Sequence, residues 1–352
     1  MKLFTVGPVE MYPETLEQSV LQLPYFRTAE FSELVLRAES LLLELAGAPE
    51  NARAVFLTAS GTGGMEAAVM NCLGAQDKAL IIDGGSFGHR FVQICERHGI
   101  PKETVKLEFG VRLTEEMLDK AYTEDMTALL VNLHETSTGQ LYDIDLIHNF
   151  CVKYNLFLIV DAISCFLADP INMERFGIDV MITSSQKALA LAPGISLVIL
   201  SPRAIDIAQK RICNTIYFDF QDYLKNGERG QTPFTPAVGT LLTMYNRLEY
   251  IVSVGIESIQ GSIRELAFDF RKKVEGLPVE IPEYPHSNAL TPIYFPHKNA
   301  KQVYETLYKE YALNVTPSGG ELGDLLLRVG HIGNLTTGDN DQLIHALYEI
   351  LE

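Results

Sequence analysis

Asp161 and Lys187 stand where ionisable groups are costly without a partner. Asp161 ends the apolar run Leu-Phe-Leu-Ile-Val, and Lys187 lies between the apolar run 180–185 and the apolar stretch 188–194. A buried carboxylate calls for a cation or several donors. A desolvated lysine loses its proton more readily, and its neutral amine is a nucleophile that forms Schiff bases with aldehydes. Three polar segments accompany this pair. Ser60-Gly61-Thr62-Gly63-Gly64 opens a helical pattern, so free backbone N–H groups and the positive end of the helix dipole make a phosphate cradle. It lacks the Gly-Lys-Ser/Thr ending of a P-loop, and Glu66 stands where a dinucleotide fingerprint needs its third glycine. Asp83-Gly84-Gly85-Ser86-Phe87-Gly88 sets an aromatic ring in a loop, where it can stack on a planar ligand. His134-Glu135-Thr136-Ser137-Thr138-Gly139 is dense in hydroxyls and acceptors, and Thr138 takes the place where a zinc HExxH motif needs its second histidine. Each feature also has a plain structural account: a tight turn, a loop aromatic folded on its own helix, a capped turn, a capping Asp, a surface lysine with its stem on the protein.

The elements that position these residues are of two kinds. Short runs apolar on both faces occur at 54–59, 78–83, 127–133, 156–162, 180–185 and 195–201. Helical patterns at 64–73, 87–98, 114–122 and 143–154 separate most of them. That alternation predicts an α/β fold, a mostly parallel sheet sandwiched by helices. An amphipathic helix over 31–45 precedes it. The last third reads as a long helix over 235–264, strand and loop over 277–296, a helix over 302–312, a strand over 325–329 and a closing helix over 339–351. The expected division is an N-terminal arm at 1–15, a large domain at 16–240 and a smaller α+β domain at 241–352. Ligands of open parallel sheets sit at the carboxyl ends of the strands. Five successive ends here supply a phosphate cradle, an aromatic plate, a hydroxyl cluster, a carboxylate and a lysine. A planar, phosphorylated, aldehyde-bearing pyridine needs that set.

Composition narrows the function classes. With 28 Lys+Arg against 45 Asp+Glu, the formal charge is -17, and such a surface repels nucleic acid and anionic membranes. Five cysteines without a CxxC pair suggest reduced thiols and a cytoplasmic protein. The N-terminus has no apolar core of a signal peptide, and the apolar runs are too short to cross a bilayer.

The residues Val6-Gly7-Pro8, Ser60-Gly61-Thr62, Glu135-Thr136-Ser137-Thr138-Gly139, Val160-Asp161-Ala162, Ser185-Gln186-Lys187 and Leu327-Arg328-Val329-Gly330 extend over nearly the whole chain. In them, and in the spacing of Asp161 and Lys187, the chain resembles the class V aminotransferases. These belong to the pyridoxal-phosphate fold-type I group, with the alanine–glyoxylate, serine–pyruvate and 2-aminoethylphosphonate–pyruvate transaminases. The resemblance implies pyridoxal 5'-phosphate as cofactor. It makes Lys187 the Schiff-base lysine and proton shuttle, Asp161 the partner of the pyridine nitrogen and Phe87 the stacking residue. It brings Ser60, Gly61, Thr62 and Gln186 to the phosphate and Thr136 to the ring oxygen. It gives Arg328 to the substrate carboxylate, with Gly7 and Pro8 beside the substrate. It also implies a homodimer with shared active sites, in which Thr232 and Thr235 of one subunit reach the other's phosphate. Two departures stand out: the chain has no Trp and offers Phe87 where relatives often carry Trp or Tyr, and Thr232 stands where Tyr is common.

The implied activity is a ping-pong transfer of an amino group from a small donor to a 2-oxo acid of the pyruvate or glyoxylate type, with no metal. 2-Aminoethylphosphonate–pyruvate transamination is the alternative; its donor would need extra cationic groups, for which Arg27, Arg90 and Arg229 are available. A cysteine desulfurase would need a mobile Cys in the C-terminal third, and none follows Cys213. A non-catalytic cofactor-binding protein is the remaining reading, against which Lys187, Asp161 and Arg328 weigh.

Overall fold

The computed structural model describes residues 1–352. Seven strands form the central sheet: β2 (Arg53–Leu57), β3 (Ala79–Asp83), β4 (Lys102–Lys106), β5 (Ala128–Asn132), β8 (Phe157–Asp161), β9 (Val180–Ser184) and β10 (Ser196–Leu200). Their order is β2-β10-β9-β8-β5-β3-β4, and only β10 runs antiparallel to its neighbours. Alternate residues of each strand point to opposite faces. Leu80, Ile82, Leu129, Val131, Leu158 and Val160 enter one core; Ile81, Leu130, Ile159 and Ile182 enter the other. Both faces are covered, which is why these strands read as continuous apolar runs rather than as alternation. β4, one of the two edge strands, departs from that rule: Lys102, Glu103, Thr104 and Lys106 remain at least partly exposed. Its polar sequence left it outside the predicted strands, and charge is how an edge avoids pairing with other chains.

Helices α2 (Ala29–Leu45), α3 (Gly61–Cys72), α4 (Gly88–Arg97), α5 (Glu115–Ala121), α6 (Ile144–Tyr154), α7 (Pro202–Lys210) and α8 (Phe220–Gly227) flank the sheet, and α1 (Pro13–Ser19) precedes them. The long helix expected over 235–264 is two helices, α9 (Val238–Val254) and α10 (Ile256–Val274). Gly255, at φ +84°, breaks it, in a backbone region that glycine enters without strain. The expected boundary at 240/241 falls inside α9, whose Leu241, Met244, Leu248 and Ile251 join the same core as Phe31, Val35 and Leu42 of α2.

A second, smaller sheet is built from β11 (Leu290–Tyr294), β13 (Thr316–Pro317) and β14 (Leu326–Gly330), in the order β11-β14-β13, with α11 (Ala300–Glu310) and α12 (Thr337–Leu351) beside it. The N-terminal arm belongs physically to this unit. Its strand β1 (Lys2–Leu3) pairs with β12 (Leu313–Asn314), and Phe4 is fully buried among Phe270, Ile293 and Val329. A short hairpin of β6 (His134–Glu135) and β7 (Gln140–Leu141) rises from the end of β5. No helix is long and apolar enough to cross a membrane.

Candidate active site

The carboxyl ends of β2, β5, β8 and β9, with the loop after β3, converge on one cavity lined by Ser60, Gly61, Thr62, Met65, Phe87, Asn132, Thr136, Asp161, Ile163, Ser164, Gln186 and Lys187. At one end α3 begins. Its first N–H groups lack intrahelical partners, and the N-cap Ser60 makes no side-chain capping bond, so its hydroxyl stays free for an anion. Gly61 packs closely here: a Cβ would press on the end of the Ile163 side chain, which would have to shift. Arg90, from the first turn of α4, donates to the Thr62 hydroxyl at 2.8 Å and lies over the Phe87 ring at 5.4 Å, which brings a cation to the same end.

Asp161 is 1% exposed. One carboxylate oxygen accepts from the Ile163 N–H at 2.9 Å, the other from the Asn132 amide at 2.7 Å. Burial still dominates these bonds and pushes the carboxyl up to about 6. That leaves a carboxylate in want of a cation. Lys187, on the turn after β9, is open to the cavity and enclosed by protein elsewhere. Burial pulls its amine down to about 8, against the attraction of Asp161 and with some help from Arg328. Its Nζ donates to the Val6 carbonyl of the arm at 2.7 Å.

The Phe87 loop is fastened by a residue whose part the sequence does not disclose. Glu135 is fully buried, and its carboxylate accepts from the N–H groups of Phe87 and Gly88 at 3.4 and 2.8 Å and from the Ser137 hydroxyl. Burial raises its pKa while those donors lower it. Thr136 donates to Ser164 at 2.8 Å, and Ser164 meets His134 Nδ1 at 2.9 Å. Burial pulls His134 down to about 3, so it is neutral. Gln186 accepts from the Ser184 hydroxyl at 2.6 Å. Asn132, Ser164, Met65 and Ile163 complete the lining and were not singled out by sequence; Asn132 and Ser164 had a signal, being polar residues at or just past the ends of apolar strands.

Beyond Phe87 the cavity continues into a recess of about 520 Å³ that Arg328 lines together with Ser137, Thr138 and Phe109. Arg328 lies on β14 and is 9% exposed; it donates to the Thr136 and Pro317 carbonyls at 2.9 and 2.7 Å, while its Nε has no partner. Burial lowers its pKa to about 10, which leaves it charged at neutral pH. Gly7 lies against Lys187: its φ is +126°, and a Cβ there would fall 2.6 Å from Lys187 Cδ. Pro8 is exposed beside it.

Thr232 and Thr235 are not brought to the cavity of their own chain. Thr232 is buried and donates to the Phe234 carbonyl at 2.6 Å, whereas Thr235 is exposed. Arg27 binds this segment through Gln231 Oε1 and the Thr232 carbonyl, each at 3.0 Å, and Arg229 donates to Asn226 at 2.8 Å. Of the three available arginines only Arg90 stands at the cavity.

A buried carboxylate, an amine with a lowered pKa, an aromatic plate and a helix N-terminus around one cavity form a set of groups that would fit pyridoxal phosphate. The family model described as aminotransferase class-V matches residues 15–321. The L-aspartate–glyoxylate aminotransferase of Paracoccus denitrificans is 28% identical, covering 80% of this chain and 74% of that one. A soluble hydrogenase small subunit of Synechococcus sp. is also 28% identical, over 99% and 92% of the two chains. The crystal structure of an aspartate aminotransferase of subgroup IV from Thermus thermophilus superposes with a TM-score of 0.93 at 26% identity, covering all of both chains.

Proposed function

The chain belongs to the class V aminotransferases, pyridoxal-phosphate enzymes of fold type I, and from that premise we propose the roles of its residues and its substrates. The reaction moves an amino group from a small amino acid to a 2-oxo acid in two half-reactions, and glyoxylate is the acceptor we favour because the Paracoccus relative is named for it. The observation that carries the assignment is the convergence of Asp161 and Lys187 on one cavity that also receives the N-terminus of α3.

Bound there, pyridoxal phosphate supplies an aldehyde that condenses with amines and a ring that takes up the electron pair released from a Cα–H bond. The chain's residues do the rest. The α3 N–H groups, Ser60, Thr62 and Gln186 hold the phosphate, with the Arg90 cation behind them. Phe87 covers one face of the ring, and Glu135 fixes that loop. Asp161 faces the ring nitrogen, and a proton there gives its desolvated carboxylate the cation it lacks; Asn132 and the Ile163 N–H hold it in line. Thr136 bonds the ring oxygen, its orientation set by Ser164 and the neutral His134. The Lys187 amine is basic enough to accept a proton at Nζ and acidic enough to return it, which is what a shuttle at neutral pH requires. Arg328 takes the substrate carboxylate, and Gly7 and Pro8 close the cavity from the arm.

We also propose a homodimer in which Thr232 and Thr235 serve the partner's phosphate, because that segment does not reach its own cavity. Exposed apolar residues Val20, Leu21 and Tyr25, and Ile212 and Ile216, supply surface for the contact. A cytoplasmic location is consistent with five unpaired cysteines. The name of the Synechococcus relative gives no second reading: the cavity offers an amine, a carboxylate and phosphate-directed N–H groups rather than a set of metal ligands.

The test is a panel of donors (aspartate, serine, alanine, 2-aminoethylphosphonate) added to the cofactor-loaded enzyme. At least one amino acid should change the cofactor absorbance, and glyoxylate should restore it. No spectral change with any donor would defeat the reading.

A further inference from the structure

Away from the active site, a polar cavity of about 270 Å³ lies between α1 and α9, and an apolar one of about 210 Å³ lies between α9, α10 and the Gly333 loop. Arg247 lines both. Its side chain packs against two phenol rings, with the guanidinium carbon 4.0 Å from the centroid of Tyr12 and 5.1 Å from that of Tyr250. The residue is 7% exposed, yet its Nε and Nη2 have no hydrogen-bond partner, and no carboxylate stands within ion-pair distance. A buried cation without an anion is among the costliest arrangements a protein can hold. Stacking on tyrosines offsets part of that cost and leaves Nε and Nη2 without acceptors.

We propose that Arg247 anchors a small carboxylate ligand in this cavity. A guanidinium N–H donates to a carboxylate with charge assistance. A single cation favours a monoanion over a phosphate dianion, the more so because Glu14 stands at the cavity rim and adds a like charge. Thr15, Gln18 and Asn246 offer polar lining, and the rings of Tyr12 and Tyr250 receive a short carbon chain. The site is distinct from the Arg328 recess, with which it shares no residue.

The experiment is thermal unfolding of the cofactor-loaded enzyme titrated with acetate, with inorganic phosphate and with chloride at matched ionic strength. Ligand-bound native protein is stabilised in proportion to the logarithm of occupancy. Acetate should still raise the midpoint of Arg328→Gln, and in that background the apparent affinity should fall at least tenfold on adding Arg247→Gln. Without added anion, Arg247→Gln should unfold no earlier than wild type, because it removes an unpaired charge; Arg247→Met is a second variant that keeps the stem. An acetate response that Arg247→Gln leaves unchanged in the Arg328→Gln background overturns the proposal, as does a response lost in Arg328→Gln alone. A larger response to phosphate than to acetate overturns the assignment to carboxylates. Both Arg247 variants unfolding well below wild type in the absence of anion would make the residue a packing element and overturn it as well.

Discussion

Replacing Asp161 by Asn should stabilise the cofactor-free chain, by an amount the site itself sets. Burial raises the carboxyl from 3.8 to about 6, against the pull of Ile163, Asn132 and Lys187. Between those values the folded chain holds a proton that the unfolded chain has released. Wild-type stability therefore falls as pH rises through this window and stays lowered above it. At about 1.4 kcal/mol per pH unit the ceiling is about 3 kcal/mol. The neutral amide escapes this loss. Its N–H₂ would meet the Asn132 amide, but Asn132 Oδ1 has no partner, so turning that amide over supplies an acceptor. Lys187 loses an attractive neighbour, which trims the gain to about 1–3 kcal/mol. Urea unfolding of the cofactor-free proteins should find them alike near pH 4 and the variant ahead near pH 7. With cofactor bound the order should reverse, because the carboxylate then faces a ring cation. A variant that is no more stable than wild type at neutral pH, or a gap independent of pH, refutes the reasoning.

Cofactor uptake by the cofactor-free chain should quicken with pH and level off above about 8, where burial places the Lys187 amine; stopped-flow absorbance that keeps rising toward pH 10 would contradict it. Arg328→Gln should raise the KM of both donor and acceptor by about 10- to 100-fold, the worth of a hydrogen bond to a charged group, with little change in cofactor content; unchanged KM values would remove Arg328 from the substrate site. Gly7→Ala forces a Cβ to within 2.6 Å of Lys187 Cδ at a φ of +126°, so cofactor content, read as absorbance per mole of chain, should fall while the circular dichroism of the fold stays intact.

The central sheet was readable because every strand but one is buried on both faces, and the same burial marked Asp161 and Lys187 as exceptions. β4 escaped because an edge strand keeps charges, and the α9–α10 break escaped because Gly255 is one residue in a continuous amphipathic pattern. Within the site, residues at strand ends could be named from their positions. Glu135 could not be assigned its part, since what matters is a loop from another strand folding its N–H groups onto it. Arg247 was invisible for the same reason: its tyrosines come from 235 residues earlier and from the next helical turn, and only folding shows that no carboxylate comes within ion-pair distance.

Covalent capture of the cofactor by the Lys187 amine underlies every role proposed for the site. Borohydride reduction of the loaded enzyme, followed by peptide mass spectrometry, should find the reduced cofactor on Lys187 and nowhere else, and Lys187→Ala should carry none. A reduced adduct on another lysine, or a Lys187→Ala protein that still traps cofactor and turns over, would contradict it.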